Sequence, residues 1–129
     1  PQFDATSCIC WLDNKILCLL RNPEKKEGDK WGFPAGKIDG DESHEDAVRR
    51  EFKEELSLAL PEIQFRQSFF VRYPEFDFTF SIFESNFNST QVIEINREEN
   101  SAYDWKTVEE FLSEEVVNGN QEIIRFLYP

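Results

Sequence analysis

Residues 36–58 read GKIDGDESHEDAVRREFKEELSL, and the fold is organised around this stretch. From Ser43 to Leu56 the pattern predicts a helix. Ser43 is the N-cap, with Asp46 three residues later as a short form of the capping-box acid. Val48, Phe52 and Leu56 recur at i, i+4 and i+8 as one apolar stripe, and Pro61 stops any continuation. A second feature lies beside that stripe. At about 100° per residue, Glu51, Glu54 and Glu55 fall within roughly one 100° sector. Like charges at these spacings destabilise a helix by a few tenths of a kcal/mol per pair. Arg50, four residues before Glu54, relieves part of this in the weaker base-before-acid order. A solvated face is the simple reading of such a cluster in an acidic protein. The functional reading is a hard-cation site, because several carboxylates on one rigid element suit Mg2+ or Mn2+.

Upstream, residues 3–12 (FDATSCICWL) and 15–21 (KILCLLR) are strand-like and separated by Asp13-Asn14, a hairpin signal. Residues 22–30 (NPEKKEGDK) read as a loop. Residues 31–38 (WGFPAGKI) are apolar but interrupted by Pro34 and two glycines, so irregular backbone is expected from Pro34 onward. Downstream, residues 62–73 and 75–87 read as strands. Phe76, Phe78, Phe80 and Ile82 alternate with Asp77, Thr79 and Ser81, the period of a half-buried strand. These aromatic rings either pack the core or line a base pocket, and packing is the simpler expectation. A short strand is expected at 92–95 and another at 103–105, with helices over 108–115 and 120–127. The order β-β-β-α-β-β-β-α predicts an α/β or α+β sandwich with a mixed sheet, one domain over residues 1–129.

Composition excludes several classes of function. Fourteen basic against 26 acidic residues leave a net charge of −12, which argues against duplex nucleic acid, where counterion release needs basic surface. With 40% apolar residues and 13 Phe the chain can bury a core, so disorder is not expected. No apolar run reaches the roughly 18–20 residues of a membrane span, and no leader pattern is seen. The opening Pro1 reads as a trimmed end. Cys8, Cys10 and Cys18 are an odd set in apolar segments and lack the second Cys/His pair of a soft-metal site. His44, the single histidine, reads as a surface residue. A reducing, cytoplasmic setting is expected.

The spacing within residues 36–58 goes further. Gly36, five residues, Glu42, seven residues, Arg50-Glu51, apolar Phe52, one residue, Glu54-Glu55, one residue, then Ser57 and apolar Leu58 resembles the Nudix box. Ser57 is the single departure, standing where the box has Gly. Chance agreement at this many specified positions in a chain of this length is about one in a million on average residue usage. The resemblance covers essentially the whole chain. Residues 33–37, Phe-Pro-Ala-Gly-Lys, are similar to the Phe-Pro-Gly-Gly-Lys of MutT-like members. Residues 98–105 (EENSAYDW) resemble the acidic loop and Trp of relatives, and Asn120, Ile124 and Leu127 the start of the MutT-type second helix.

The resemblance implies an α/β/α sandwich and Mg2+- or Mn2+-dependent hydrolysis of a nucleoside diphosphate linked to another group. It implies Glu54 and Glu55 as metal ligands and Glu51 as a further ligand or the base. Ala35 would supply a backbone carbonyl ligand. Glu99 would be the loop acid that binds metal or acts as base, with Glu98 as its alternative. Arg50 would orient the glutamates, assisted by Glu42. Lys37 and Arg21 are placed to neutralise phosphate oxygens, as cations do in phosphoryl transfer. Phe33 and Asn120 lean toward an oxidised nucleoside triphosphate, because Asn offers a donor and an acceptor to a base edge. Asn120 reads equally as a simple N-cap. Nucleotide sugars, dinucleoside polyphosphates and a non-catalytic nucleotide-binding module are the alternatives. The expected partner is a small nucleotide, with no duplex nucleic acid and no membrane, bound by a monomer or homodimer.

Overall fold

The computed structural model describes residues 2–129; the reading of Pro1 as a trimmed end lies outside them. Strands β1 (Phe3–Leu12) and β2 (Lys15–Arg21) are joined through Asp13 and Asn14, with φ of 50° and 64°. That left-handed pair is what a two-residue hairpin turn requires, and short polar side chains tolerate it. The two strands pair only beside the turn, Trp11 opposite Ile16 and Leu12 opposite Lys15. Each then acquires its own partners. β2 pairs antiparallel with β3 (Trp31–Gly32) and with β7 (Asn100–Lys106). β1 pairs antiparallel with β4 (Ala35–Lys37) and parallel with β6 (Asp77–Asn86), while β6 carries β5 (Ile63–Arg72) antiparallel on its far side. The seven strands form one mixed sheet.

Helix α1 (His44–Leu56) covers one face of the sheet, and α2 (Val108–Leu112) and α3 (Asn120–Leu127) contribute to the core on the other. Alternate residues of the same strands feed the two cores. Cys8, Cys10, Leu17 and Leu19 pack with Val48, Phe52 and Leu56 of α1. Ile9, Ile16 and Cys18 pack with Phe111, Ile123 and Ile124. Burial on both faces is why β1 and β2 read as continuous apolar runs. The three cysteines are buried with free thiols and act as small apolar side chains.

Ser43 caps α1 through a hydrogen bond from the Asp46 N–H (3.0 Å), and Ser57 closes it in the left-handed region at φ 53°. Four expectations are corrected. Irregular backbone is confined to Phe33 and Pro34, and the chain returns to strand at β4 because Ala35–Lys37 finds hydrogen-bonding partners in β1. Residues 92–95 are not a strand. The Glu94 and Asn96 amides instead donate to the Leu56 and Glu55 carbonyls at the end of α1, while Ile93 and Ile95 cover the α1-side core. The helix expected over 108–115 stops at Leu112, because Trp31 draws the following chain into a bridge with Val116. The third expected strand is two, β3 and β4.

Candidate functional site

Arg50 is the centre of a charged network on the exposed side of α1. Its guanidinium donates to both carboxylate oxygens of Glu42 (2.7 and 3.0 Å), to Glu51 (3.0 Å), to Glu54 (3.2 Å) and to the Lys37 carbonyl (3.0 Å). These bonds tie the helix to β4 and to the loop between them. The bidentate contact holds the Glu42 carboxyl below its ordinary range. Gly36 lies directly against Glu51: a Cβ there would sit 2.0 Å from the Glu51 carboxyl carbon. Only glycine permits that approach.

Glu55 lies on the same helix face, half-buried. Its carboxylate accepts from Asn100 Nδ2 (3.2 Å), and its carboxyl is pushed up to about 7 by burial first and then by the charges of Glu99 and Glu51. Burial likewise raises Glu51, against the lowering effect of Arg50. Glu99 occupies the turn before β7 and meets Lys25 at 3.4 Å. Among the described residues, no three His, Cys, Asp or Glu side chains converge closely enough to enclose a cation. Arg50 holds Glu51 and Glu54 in its own network, while Glu55 and Glu99 border the cavity.

A cavity of about 300 Å3 opens beside Glu55 and Glu99. Ala35, Gly36 and Lys37 of β4 line it, as do Arg21, Phe33 and Asn120. The β2–β7 register shifts between Leu20 and Arg21, an irregularity of the kind that re-aims a side chain. Arg21 Nε donates to the Lys26 carbonyl (2.9 Å), which shapes the 22–30 loop along the cavity. Phe3, Tyr73, Phe76, Phe78 and Phe80 form an aromatic wall. Phe3 stacks on Phe78 with centroids 4.9 Å apart, and the Lys37 ammonium lies 4.3 Å from the Phe3 ring centre. The β6 rings Phe78 and Phe80 thus line a pocket as well as packing, so the two readings left open by the sequence are not exclusive.

The model of the NUDIX domain family matches residues 1–127. The chain belongs to the Nudix family. It is 28% identical over 79 residues to an 8-oxo-dGTP diphosphatase of Proteus vulgaris, a match covering 61% of this chain and 70% of the relative. It is 33% identical over 57 residues to a CTP pyrophosphohydrolase of Escherichia coli, covering 44% of this chain and 42% of the relative. Among solved structures, a MutT NUDIX hydrolase from Burkholderia pseudomallei superposes with a TM-score of 0.85 at 20% identity, over 95% of both chains. At that identity the likeness speaks for the fold.

Within this Nudix fold the site residues read from the sequence divide into two groups. Glu55, Glu99, Ala35, Lys37, Arg21, Phe33 and Asn120 meet at the cavity, together with Gly36. Arg50, Glu51 and Glu54 form the adjoining network on the α1 surface. Asn120 differs from its sequence reading. It is buried as the first residue of α3, whose N-cap position is Gly119, and its Oδ1 accepts the Phe33 N–H (3.1 Å). Its acceptor is therefore occupied, leaving Nδ2 as a donor. Phe33 is itself anchored by stacking on Phe111 at 5.3 Å. Asn100 and Glu27 were not singled out in the sequence. Glu27 accepts from Tyr73 Oη (2.5 Å) and the Asn118 N–H (3.0 Å), pinning the loop at the cavity. These partners are 45 to 91 positions distant, and the one local contact, Lys30 Nζ to Glu27 at 3.2 Å, is an ordinary loop ion pair that does not point to the cavity.

Proposed function

We propose that this Nudix hydrolase cleaves a nucleoside triphosphate, an oxidised one in the first instance, to nucleoside monophosphate and pyrophosphate with Mg2+ or Mn2+. The observation that carries the reading is one cavity holding carboxylates, three cations (Arg21, Lys26 and Lys37), an aromatic wall and an oriented amide donor. The similarity to an 8-oxo-dGTP diphosphatase supports this choice of substrate. The donor set fits a hard divalent cation. All candidate ligands are oxygens, and Glu55, raised first by burial and then by the charges of Glu99 and Glu51, stands among carboxylates that a hard cation suits. Glu54, Glu55, Glu99 and the Ala35 carbonyl are the residues proposed to hold it, with Glu51 kept for the base. When bound, the cation supplies Lewis-acid polarisation of phosphoryl oxygens and acidifies the attacking water.

The protein's own groups do the remaining work. Arg50 holds the glutamates in place through its four side-chain and backbone bonding partners. Glu51, fixed between Arg50 and Gly36, takes the proton of the attacking water. Arg21 and Lys37 neutralise phosphate oxygens, which matters in a chain of net charge −12. The aromatic wall stacks the base, and Asn120 Nδ2 donates to an acceptor on the base edge. In-line attack at a diphosphate phosphorus then requires little beyond positioning and charge compensation.

A nucleotide panel with Mg2+ and with Mn2+, followed by product identification, tests the proposal. Glu54→Gln and Glu55→Gln should each lower kcat by orders of magnitude with an unchanged circular dichroism spectrum. Near wild-type turnover in both variants would remove the catalytic assignment.

A further inference from the structure

We propose that the protein forms a two-fold homodimer by antiparallel pairing of β5 with β5 of a second copy. β5 is the terminal strand of the sheet path and pairs with β6 alone; among the described residues no strand covers its outer edge. The region around β3 is closed differently, since Trp31 and Val116 bridge and the Val117 N–H donates to the Trp31 carbonyl (2.8 Å). β5 guards this edge with only one bulge and two arginines, Arg66 and Arg72. Its ten residues, IQFRQSFFVR, contain no Pro, Lys or acid. At about 3.4 Å per residue they present roughly 34 Å of edge.

Two of its exposed side chains are aromatic, standing among exposed Gln64, Gln67, Ser68 and Arg72. Phe65 and Phe70 are 57% and 52% exposed. Five positions apart, they would point to opposite faces of a regular strand. The register against β6 shifts between Phe65 and Gln67, so one extra residue, Arg66, is inserted there. Phe65, Ser68 and Phe70 consequently share the α1-side face, consistent with the Arg72 guanidinium lying 5.3 Å from the Phe70 ring.

That pattern is self-complementary. With a two-fold axis at Ser68, Phe65 of each copy lies opposite Phe70 of the other, Gln67 opposite Phe69, and Ser68 opposite itself. Two directly opposed aromatic pairs result, on one face, at the spacing of cross-strand neighbours. On the other face Phe126, 62% exposed and edge-on to Phe69 at 5.5 Å, flanks the seam. Charge allows the same edge. The strand carries no carboxylate and two arginines, of which Arg66 is already paired with Glu84 at 2.9 Å, so in a chain of net charge −12 this edge sets no bare acidic row against its copy. An isologous contact of this kind closes at two copies.

Sedimentation equilibrium of the full chain from micromolar to millimolar concentration provides the test. The expected mass rises from 15.3 kDa toward twice that value, and more readily as salt screens the net charge. The double variant Phe65→Lys/Phe70→Lys should remain monomeric with unchanged nucleotide turnover, since neither side chain lines the cavity, and with a small loss of Tm because Phe65 packs edge-on against Phe83 at 5.7 Å. Under oxidation, Ser68→Cys should give a disulfide-linked dimer much faster than Tyr103→Cys on β7. A wild-type chain that stays monomeric at millimolar concentration overturns the proposal, even if β5 captures an extended peptide. So does a dimer that survives the double lysine variant, or equal cross-linking of the two cysteine variants.

Discussion

Glu51 and Glu99 are the two carboxylates that compete for the role of base, and their settings differ. Glu51 is held on a helix by Arg50 and packed on Gly36, whereas Glu99 occupies a turn with a partly exposed side chain. A base is effective when its position is fixed, which favours Glu51. Glu51→Gln should therefore remove the acid limb of the kcat/KM profile, while Glu99→Gln should retain that limb with a weaker dependence on metal concentration. A larger kcat loss in Glu99→Gln than in Glu51→Gln would reverse the assignment. Asn120 has a narrower role. Because its Oδ1 is committed to the Phe33 N–H, Asn120→Ala should raise KM for nucleotides whose bases present an acceptor, by roughly tenfold for one lost hydrogen bond near 1.4 kcal/mol. A uniform loss of kcat across all bases would instead mark Asn120 as structural support for β3.

At the scale of elements, the departure from the Nudix box sits at the end of α1. Ser57 adopts φ 53° and ψ 38°, and its N–H and that of Leu58 donate to the Lys53 and Phe52 carbonyls. This is the left-handed helix ending that glycine adopts without strain. Serine retains the geometry at a cost of roughly 1 kcal/mol. Ser57→Gly should thus raise stability by about that amount in chemical denaturation, with turnover unchanged, because the glutamates precede the cap. Much higher turnover at equal stability would show that Ser57 holds the active-site helix away from its productive position. The same helix shows which local signals are dependable. Its cap, stripe and acidic sector are visible within fourteen residues, whereas the 92–95 segment looked like a strand because Val92, Ile93 and Ile95 are apolar. Their backbone hydrogen bonds go to the end of α1, a partner that alternation cannot reveal.

Across the whole molecule, the carboxylate cluster couples folding to pH and, on the proposed function, to metal. Glu55 has an ordinary value of 4.5 and is pushed up to about 7 when folded, so the folded chain binds this proton more tightly than the unfolded chain. Without metal, its contribution to stability should be greatest below 4.5 and decline as pH rises through about 7. Glu42 acts in the opposite sense: its stabilisation is present above its ordinary value and is lost as pH falls through the lowered one. Thermal unfolding in EDTA should therefore show declining Tm between about pH 5 and 8, flattened by Glu55→Gln and reversed by excess Mg2+. A Tm that rises across that window in EDTA would contradict the assigned charge balance. No helix among the described residues is long and apolar enough to cross a membrane.

The box spacing, the helix that carries it, the Asp13-Asn14 hairpin, the long strands and the mixed sandwich were all legible in the sequence, because each depends on residues near one another or on alternation along one element. Residue types along α1 likewise identified Arg50 and the glutamates as a unit. Tertiary structure decided what joins distant segments. It brought Asn100 to Glu55, Phe33 to Asn120 and Glu27 to Tyr73, turned the β6 rings into a pocket wall, and left β5 as an open edge. Hydrogen bonds between residues tens of positions apart, and strand neighbours chosen by competition for two cores, leave no periodic trace in the chain that makes them.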